Sequence, residues 1–102
     1  RARYNPTDFA HRVALHDAEQ LRNRGALRRA LPIYEESASL AQANGWPHEA
    51  ALILEKHTEV LAALGDREAA HASAAASLAL YQRWQAWAKV AQIQRLQVRI
   101  GG

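Results

Sequence analysis

The sequence predicts an all-α protein made of stacked antiparallel helical hairpins, and three observations lead to this prediction. Alanine occupies 23 of the 102 positions and leucine 12, whereas valine, isoleucine and threonine together occupy 10, which favours helix over strand. Gly25, Gly45 and Gly65 follow one another at a constant spacing, which matches a helix of about 17 residues plus a short turn. Apolar residues between them recur at intervals of three and four. A chain of this length forms one compact domain.

Five helices are predicted, near residues 7–24, 27–43, 47–64, 66–83 and 86–100. Each of the three spaced glycines can end a helix in a left-handed conformation. The helix starts are indicated by Pro6-Thr7 before the first helix, by Pro47 at a first helical position and by Asp66 as an N-cap.

The fourth boundary lacks its glycine, because position 85 holds Gln85. A helix running unbroken from 66 to 100 would be unusually long for a compact domain. We therefore expect a break near Trp84-Gln85.

Each predicted helix has a face that can pack. The expected apolar face of the first helix contains Phe9, Val13 and Leu21, and that of the last contains Trp87, Val90, Ile93, Leu96 and Ile100. Intervals of three and four also define the second and third faces: Leu27, Ala30, Leu31, Tyr34, Ala38 and Ala41, then Ala50, Ile53, Leu54, His57, Leu61 and Leu64. The fourth helix is rich in alanine, with Ser73 and Ser77, so its neighbours can approach closely.

A longer repeat, with a period of about 40 residues, is also visible and corresponds to one helical hairpin. When residues 23–62 are aligned with 63–102, seven positions are identical: Gly25/Gly65, Ala30/Ala70, Ser37/Ser77, Leu40/Leu80, Gln42/Gln82, Ala51/Ala91 and Ile53/Ile93. Together with the glycine spacing, this predicts a tetratricopeptide-like stack whose period exceeds the standard length of about 34. About two and a half hairpins fit. Because such stacks are usually longer, we expect the chain to be a piece of a larger protein.

Charge is distributed unevenly around the net +3. Residues 1–32 hold seven arginines against three acids, residues 33–70 hold two bases against seven acids, and residues 71–102 hold four bases and no acid. This acidic middle part disfavours nucleic-acid binding, which usually needs one continuous basic face. A nucleic-acid binder remains an alternative, and it would use Arg22, Arg24, Arg28, Arg29, Arg95 and Arg99.

Motifs for catalysis, metals and membranes are missing from the sequence. There is no cysteine, no H-E-x-x-H, no phosphate-binding glycine loop and no serine elbow motif. No stretch is apolar enough for a membrane span, and no signal-peptide core follows the basic start. We expect a cytoplasmic protein that is not an enzyme, needs no cofactor or metal, and keeps its five histidines as ordinary surface or core residues.

The candidates for partner binding lie mainly around the last turn. Tyr81, Trp84 and Trp87 fall within seven residues, and Arg83 and Lys89 beside them can pair with an acidic partner. Aromatic residues at helical spacing more often pack between stacked helices, so packing is the competing interpretation. By the same logic, Trp46 is expected to staple the helix start at Pro47.

Part of the sequence resembles a known family. The most specific run is YQRWQAWAKV at 81–90, supported by NPTDFAH at 5–11, YEES at 34–37 and NGWPHEAA at 44–51. These segments resemble, in order and spacing, the tetratricopeptide-like region of large bacterial multi-domain ATP-binding sensor kinases. The family commonly has glycine where Gln85 stands, and residues 53–57 depart from its asparagine and aromatic pattern.

The resemblance implies a regulatory segment that joins a nucleotide-binding switch to an output domain, with the catalytic residues in other domains. The leading hypothesis is therefore a non-catalytic scaffold that contacts a protein partner or pairs with a second copy through its end faces. The alternative is the effector- or peptide-binding repeat domain of a transcription regulator, with a pocket lined by Tyr34, His57 or Trp84.

Overall fold

The computed structural model describes residues 9–101, and most of them are helical. The helices are α1 (Ala10–Asn23), α2 (Leu27–Ala43), α3 (Pro47–Ala63), α4 (Arg67–Arg83) and α5 (Trp87–Ile100). Residues 9–101 contain no strand, so the all-α class and the five helices are confirmed. The first helix starts at Ala10 rather than near residue 7, and the start signal Pro6-Thr7 lies outside the described residues.

Consecutive helices pack against one another, from α1 on α2 through to α4 on α5. Within the first hairpin, α1 and α2 are antiparallel, since bonds join residue 11 to 37 and residue 19 to 34. By contrast, α1 and α3 run side by side in the same direction. Three ion pairs join them at a constant offset in sequence: Arg12–Glu49, Glu19–Lys56 and Arg22–Glu59.

Four turns of one kind connect the five helices. Gly25, Gly45 and Gly65 have φ of +81° to +82°, and Gln85 has φ +59°. After each of these residues, the next backbone N–H donates to the carbonyl five residues earlier, at 2.8 to 2.9 Å in three turns and 3.0 Å in the other: Ala26 to Leu21, Trp46 to Ala41, Asp66 to Leu61 and Ala86 to Tyr81. The predicted break at Trp84-Gln85 is therefore a regular member of the series, although Gln85 carries a side chain.

The predicted starts of α3 and α4 are also present. Pro47 is the first residue of α3, where its missing N–H costs no helical bond. The Asp66 carboxylate caps α4 by accepting the N–H of Ala69 at 3.1 Å. Pro32 lies inside α2 without ending it, and its ring is exposed. The carbonyl of Arg28, which would have received an N–H from position 32, therefore has no helical donor.

The core consists of two clusters of mostly small residues. The first lies between α1, α2 and α3 and the second between α3, α4 and α5. Ala50 belongs to the first cluster and Ala51 to the second, so α3 is buried on two faces. The same bond recurs in both hairpins: Ser37 donates to the carbonyl of His11 at 2.6 Å, and Ser77 donates to that of Ala51 at 2.8 Å. Both the donor and the acceptor of the second bond lie one repeat period after those of the first, as the sequence alignment predicts.

Three predictions about the packing of apolar residues were wrong. Val13 is 66% exposed and Trp87 is 61% exposed, because α1 and α5 each pack mainly on a single neighbouring helix. Trp46 does not staple its own helix. Its ring centre lies 5.7 Å from those of Phe9 and His11, and the Arg12 guanidinium lies 4.9 Å from its centre, so it packs on α1.

Replacing Gln85 with glycine should stabilise the protein. A side chain in the left-handed region costs about 1 kcal/mol, and Gln85→Gly removes that strain. The matched control is Gly45→Gln, which should lower stability by about the same amount. An added Cβ at Gly45 meets no atom within 4 Å, so only backbone strain is tested. Urea unfolding measures both variants, and a Gln85→Gly variant less stable than wild type would contradict this account.

Candidate functional site

The seven residues nominated from the sequence do not form one site. Tyr34, His57 and Tyr81 are buried, Lys89 is half-buried, and the remaining three, Arg83, Trp84 and Trp87, are exposed. The structure thus separates a set of interior polar contacts from an exposed aromatic surface near the turn at Gln85.

Tyr34 connects the first three helices. Its ring is fully buried in the first core cluster, and its hydroxyl donates to the carboxylate of Glu19, which also pairs with Lys56 at 3.0 Å. Burial and the neighbouring carboxylate raise the pKa of Tyr34 to about 12. Burial alone would raise the pKa of Glu19, but the Tyr34 hydroxyl and Lys56 outweigh it and lower that pKa. Tyr34 therefore links three helices in the core and does not line an open pocket.

His57 connects α2, α3 and α4. Its Nδ1 lies 2.8 Å from the hydroxyl oxygen of Ser73, and its Nε2 lies 3.0 Å from a carboxylate oxygen of Glu35. The Ser73 hydroxyl also donates to the carbonyl of Leu54 at 3.1 Å. Serine, histidine and a carboxylate are the residue types of a hydrolase triad, but Ser73 is buried between two helices, where a substrate cannot reach it.

Glu55 is the centre of a buried polar network that the sequence analysis missed. Its carboxylate accepts hydrogen bonds from Gln92 at 2.8 Å, Lys89 at 3.1 Å and Tyr81 at 3.3 Å. The Lys89 ammonium also lies 5.5 Å from the centre of the Tyr81 ring. Burial and the Glu55 charge raise the pKa of Tyr81. The network fastens α5 to α3 and α4.

The two remaining tryptophans lie on the surface at the last turn. Trp84 caps the end of α4 and is 50% exposed, and its ring centre lies 6.0 Å from that of His48. Trp87 begins α5, and Arg83 beside them is exposed. Packing therefore accounts for Tyr81, which is buried, whereas half of the Trp84 side chain and more than half of the Trp87 side chain face solvent.

Trp87 belongs to an uncovered stripe, which we name the α5 outer face: Trp87, Ala91, Arg95 and Val98. These residues follow one another at intervals of three and four, so they share one side of the helix. Val98 is 80% exposed, whereas Thr58 and Ala18, one and two repeat periods earlier, are fully buried. A shallow groove of about 570 Å³ runs beside Val98 and is lined by Gln92, Arg95 and Arg99.

This face is basic. Neither Arg95 nor Arg99 has an acid within ion-pair distance among residues 9–101, whereas Arg12 and Arg22 of α1 are paired with Glu49 and Glu59. The α5 outer face is therefore both apolar, through Trp87 and Val98, and positively charged.

The described part of the chain offers neither a metal cluster nor a membrane span. Residues 9–101 contain no group of three or more histidine, cysteine, aspartate or glutamate side chains placed to hold a metal ion. None of the helices in this range combines the length and apolar character needed to cross a bilayer.

The geometry of residues 9–101 defines a class of protein: an all-α stack of helices joined by equivalent turns, with exposed apolar side chains on its terminal helices α1 and α5. Comparison with known proteins adds no relative, since no family model, curated protein or solved structure matches the chain. The function must therefore be argued from the surface itself.

Replacing Lys89 should show how much the Glu55 network contributes to the free energy of unfolding. Lys89→Met leaves the buried Glu55 carboxylate without its cation, and we expect a loss of about 1–3 kcal/mol in the free energy of unfolding, since Lys89 is itself partly exposed. In a Glu55→Gln background the same change should cost much less. Lys56→Met is the matched control, because its pair with Glu19 is partly exposed on both sides and should cost under about 1 kcal/mol. Equal costs in both backgrounds would contradict a buried network.

Glu49 should make stability depend on acid pH. Two bonds from Arg12, at 2.8 and 3.1 Å, and one from His11 at 2.6 Å hold the pKa of Glu49 at about 2, against its ordinary 4.5. The folded-state pKa is the lower one, so the stabilisation is complete above about pH 4.5 and disappears as the pH falls towards 2.

Urea unfolding at several pH values tests this dependence. Glu49→Gln should be less stable than wild type at pH 7 and should lose less stability between pH 4.5 and 2. Glu36→Gln, at an exposed position, should follow the wild-type curve. A Glu49→Gln curve parallel to wild type in this range would refute the assignment.

Proposed function

We propose that this protein is a non-catalytic protein-interaction module that binds a partner through the α5 outer face and the adjoining Trp84. The observation that carries the proposal is the exposure of two tryptophans on either side of one turn, with the exposed Arg83 beside them in sequence. Tryptophan and arginine are among the residues most enriched at the energetic centres of protein interfaces.

The energetics favour a protein partner. A tryptophan side chain offers about 150–250 Å² for burial. Covering the exposed part of each ring would contribute on the order of 2 kcal/mol at about 25 cal/mol per Å². Val98 extends the apolar area along α5, and Arg95 and Arg99 add a charged margin. An apolar centre with a polar rim is the usual composition of a protein interface.

The stack supplies a way to transmit such a contact. Lys89 and Gln92 of α5 bind Glu55 of α3, and α3 in turn pairs with α1 through Lys56 and Glu59. A partner that moves α5 therefore acts on the contacts of α3. The resemblance of residues 81–90 to the tetratricopeptide-like region of bacterial sensor kinases supports a regulatory role in a cytoplasmic signalling protein, between a nucleotide-binding switch and an output domain.

The alternatives have less support. The groove ligand of the alternative would be lined by Tyr34, His57 or Trp84, but only Trp84 is exposed, and the other two side chains are buried. For nucleic acid, Arg24, Arg28 and Arg29 are exposed together, but Arg22 is held by Glu59. These positions also belong to α1, α2 and the turn between them, whereas Arg95 and Arg99 belong to α5 at the other end of the stack.

Trp84→Ala and Trp87→Ala should leave the fold intact and abolish partner binding. Because half or more of each ring is exposed, each substitution should remove only the covered part of the ring and cost at most about 2 kcal/mol of stability. Tyr81→Ala, which removes a buried ring, should cost about 3–5 kcal/mol.

Binding is measured by photo-crosslinking in cells that express the full protein. Benzoylphenylalanine at position 84 or 87 should give discrete crosslinked protein bands, and the same group at Ala75 or Ala76, exposed on α4, should not. Equal labelling at the two pairs of positions would contradict the proposal, as would a large loss of stability on substituting either tryptophan.

A further inference from the structure

The repeat indicates what kind of partner the α5 outer face accepts. In the first hairpin α2 covers α1, in the second α4 covers α3, and within residues 9–101 no helix covers the outer face of α5. The face of α3 that meets α4 contains Ala51 and Glu55, and Thr58, three positions further along, is fully buried. One repeat period further along the chain, these positions become Ala91, Arg95 and Val98. The α5 outer face is therefore equivalent to the helix-binding surface of the repeat, and no helix within residues 9–101 covers it.

The two covering helices share a pair of residues at their contact. Ala30 of α2 and Ala70 of α4 are fully buried, and so are Ser37 and Ser77, each seven positions later. Seven positions are close to two helical turns, so each alanine and its serine lie on one side. The serine hydroxyls donate to the carbonyls of His11 and Ala51. The next carbonyl in this series is that of Ala91 on α5.

A third contact position distinguishes α5 from its two predecessors. Equivalent places hold Leu15 on α1, Glu55 on α3 and Arg95 on α5. The covering helices have a matching position eleven residues after the shared alanine. On α2 this is Ala41, which belongs to the apolar cluster against which Leu15 packs. On α4 it is Tyr81, whose hydroxyl donates to Glu55. An apolar residue thus meets an apolar residue in the first hairpin, and a hydrogen-bond donor meets a carboxylate in the second. Opposite Arg95, the complementary residue is a carboxylate.

We propose that the α5 outer face binds a helix of a partner protein that carries alanine, serine seven positions later and aspartate or glutamate eleven positions later. The proposal rests on the proposed function and specifies its partner class. Charge argues against pairing with the α5 face of a second copy, because both faces would carry Arg95 and Arg99 and residues 71–102 contain no acid to pair with them.

The test uses a peptide taken from a covering helix of the repeat. The probe has the sequence of residues 66–83, which includes the Asp66 cap, with Tyr81→Glu at the eleventh position after the alanine. Titrated into the isotope-labelled full chain, it should give saturable NMR shifts centred on Ala91, Arg95 and Val98. Val98→Glu should weaken binding about tenfold or more, and the matched exposed variant Val13→Glu should not change it.

Charge exchange tests the third position directly. Arg95→Glu should weaken binding of this peptide about tenfold, and a peptide with Tyr81→Lys should restore it on the Arg95→Glu chain. Absence of binding, shifts centred away from α5, or failure of the exchange would overturn the proposal. Dimerisation of the chain that Val98→Glu abolishes would also overturn it, in favour of a second copy as occupant.

The two proposals can fail separately. If crosslinks form at positions 84 and 87 while the peptide does not bind, the interaction module stands and the helical partner is wrong. If the crosslinks are absent as well, both are wrong.

Discussion

A single backbone bond, repeated at each of the four turns, determines the architecture. After each left-handed residue, an N–H returns to the carbonyl five positions earlier, so the helix ends and the chain reverses at a fixed point. The three inner helices, which begin at Leu27, Pro47 and Arg67, consequently have one common length. Because each turn has one geometry, each hairpin meets the next at equivalent positions. The serine bonds at Ser37 and Ser77, which occupy the same place in successive hairpins, depend on that regularity.

Polar contacts between the helices add to the limited apolar packing that the small side chains provide. The two clusters are rich in alanine, which permits close helix packing but buries little apolar area at each position. Tyr34, His57 and Glu55 each connect three helices through hydrogen bonds or ion pairs. Such contacts are directional, so they specify which residues of neighbouring helices face one another. Packing between alanine-rich faces alone would define this register poorly.

The sequence predicted the parts of the fold that depend on local chemistry. Glycine spacing, Pro47 and Asp66 indicated the turns and helix starts, because left-handed conformations and caps favour particular residues. The second buried face of α3, with Ala51, Glu55 and Thr58, was missed because small and polar residues give no apolar period. The exposure of Val13 and Trp87 was also missed, since periodicity identifies an apolar stripe but not whether another helix covers it. The sequence therefore predicted the exposed site only from the presence of tryptophan and arginine, and the structure was needed to show that it extends along α5.

The unequal burial of the helices has a consequence for the order in which the protein opens. α3 buries eight residues and has a neighbour on each side, whereas α5 buries three and packs mainly on one neighbour. In a stack whose helices touch mainly their neighbours, local opening begins at the ends and reaches the middle last. Amide hydrogens of α5 should therefore exchange through partial opening, and those of α3 only through global unfolding. A molecule that binds the folded α5 is released by either kind of opening, so its binding would slow exchange in α3 as well as in α5, although the bound surface lies only at the end of the stack.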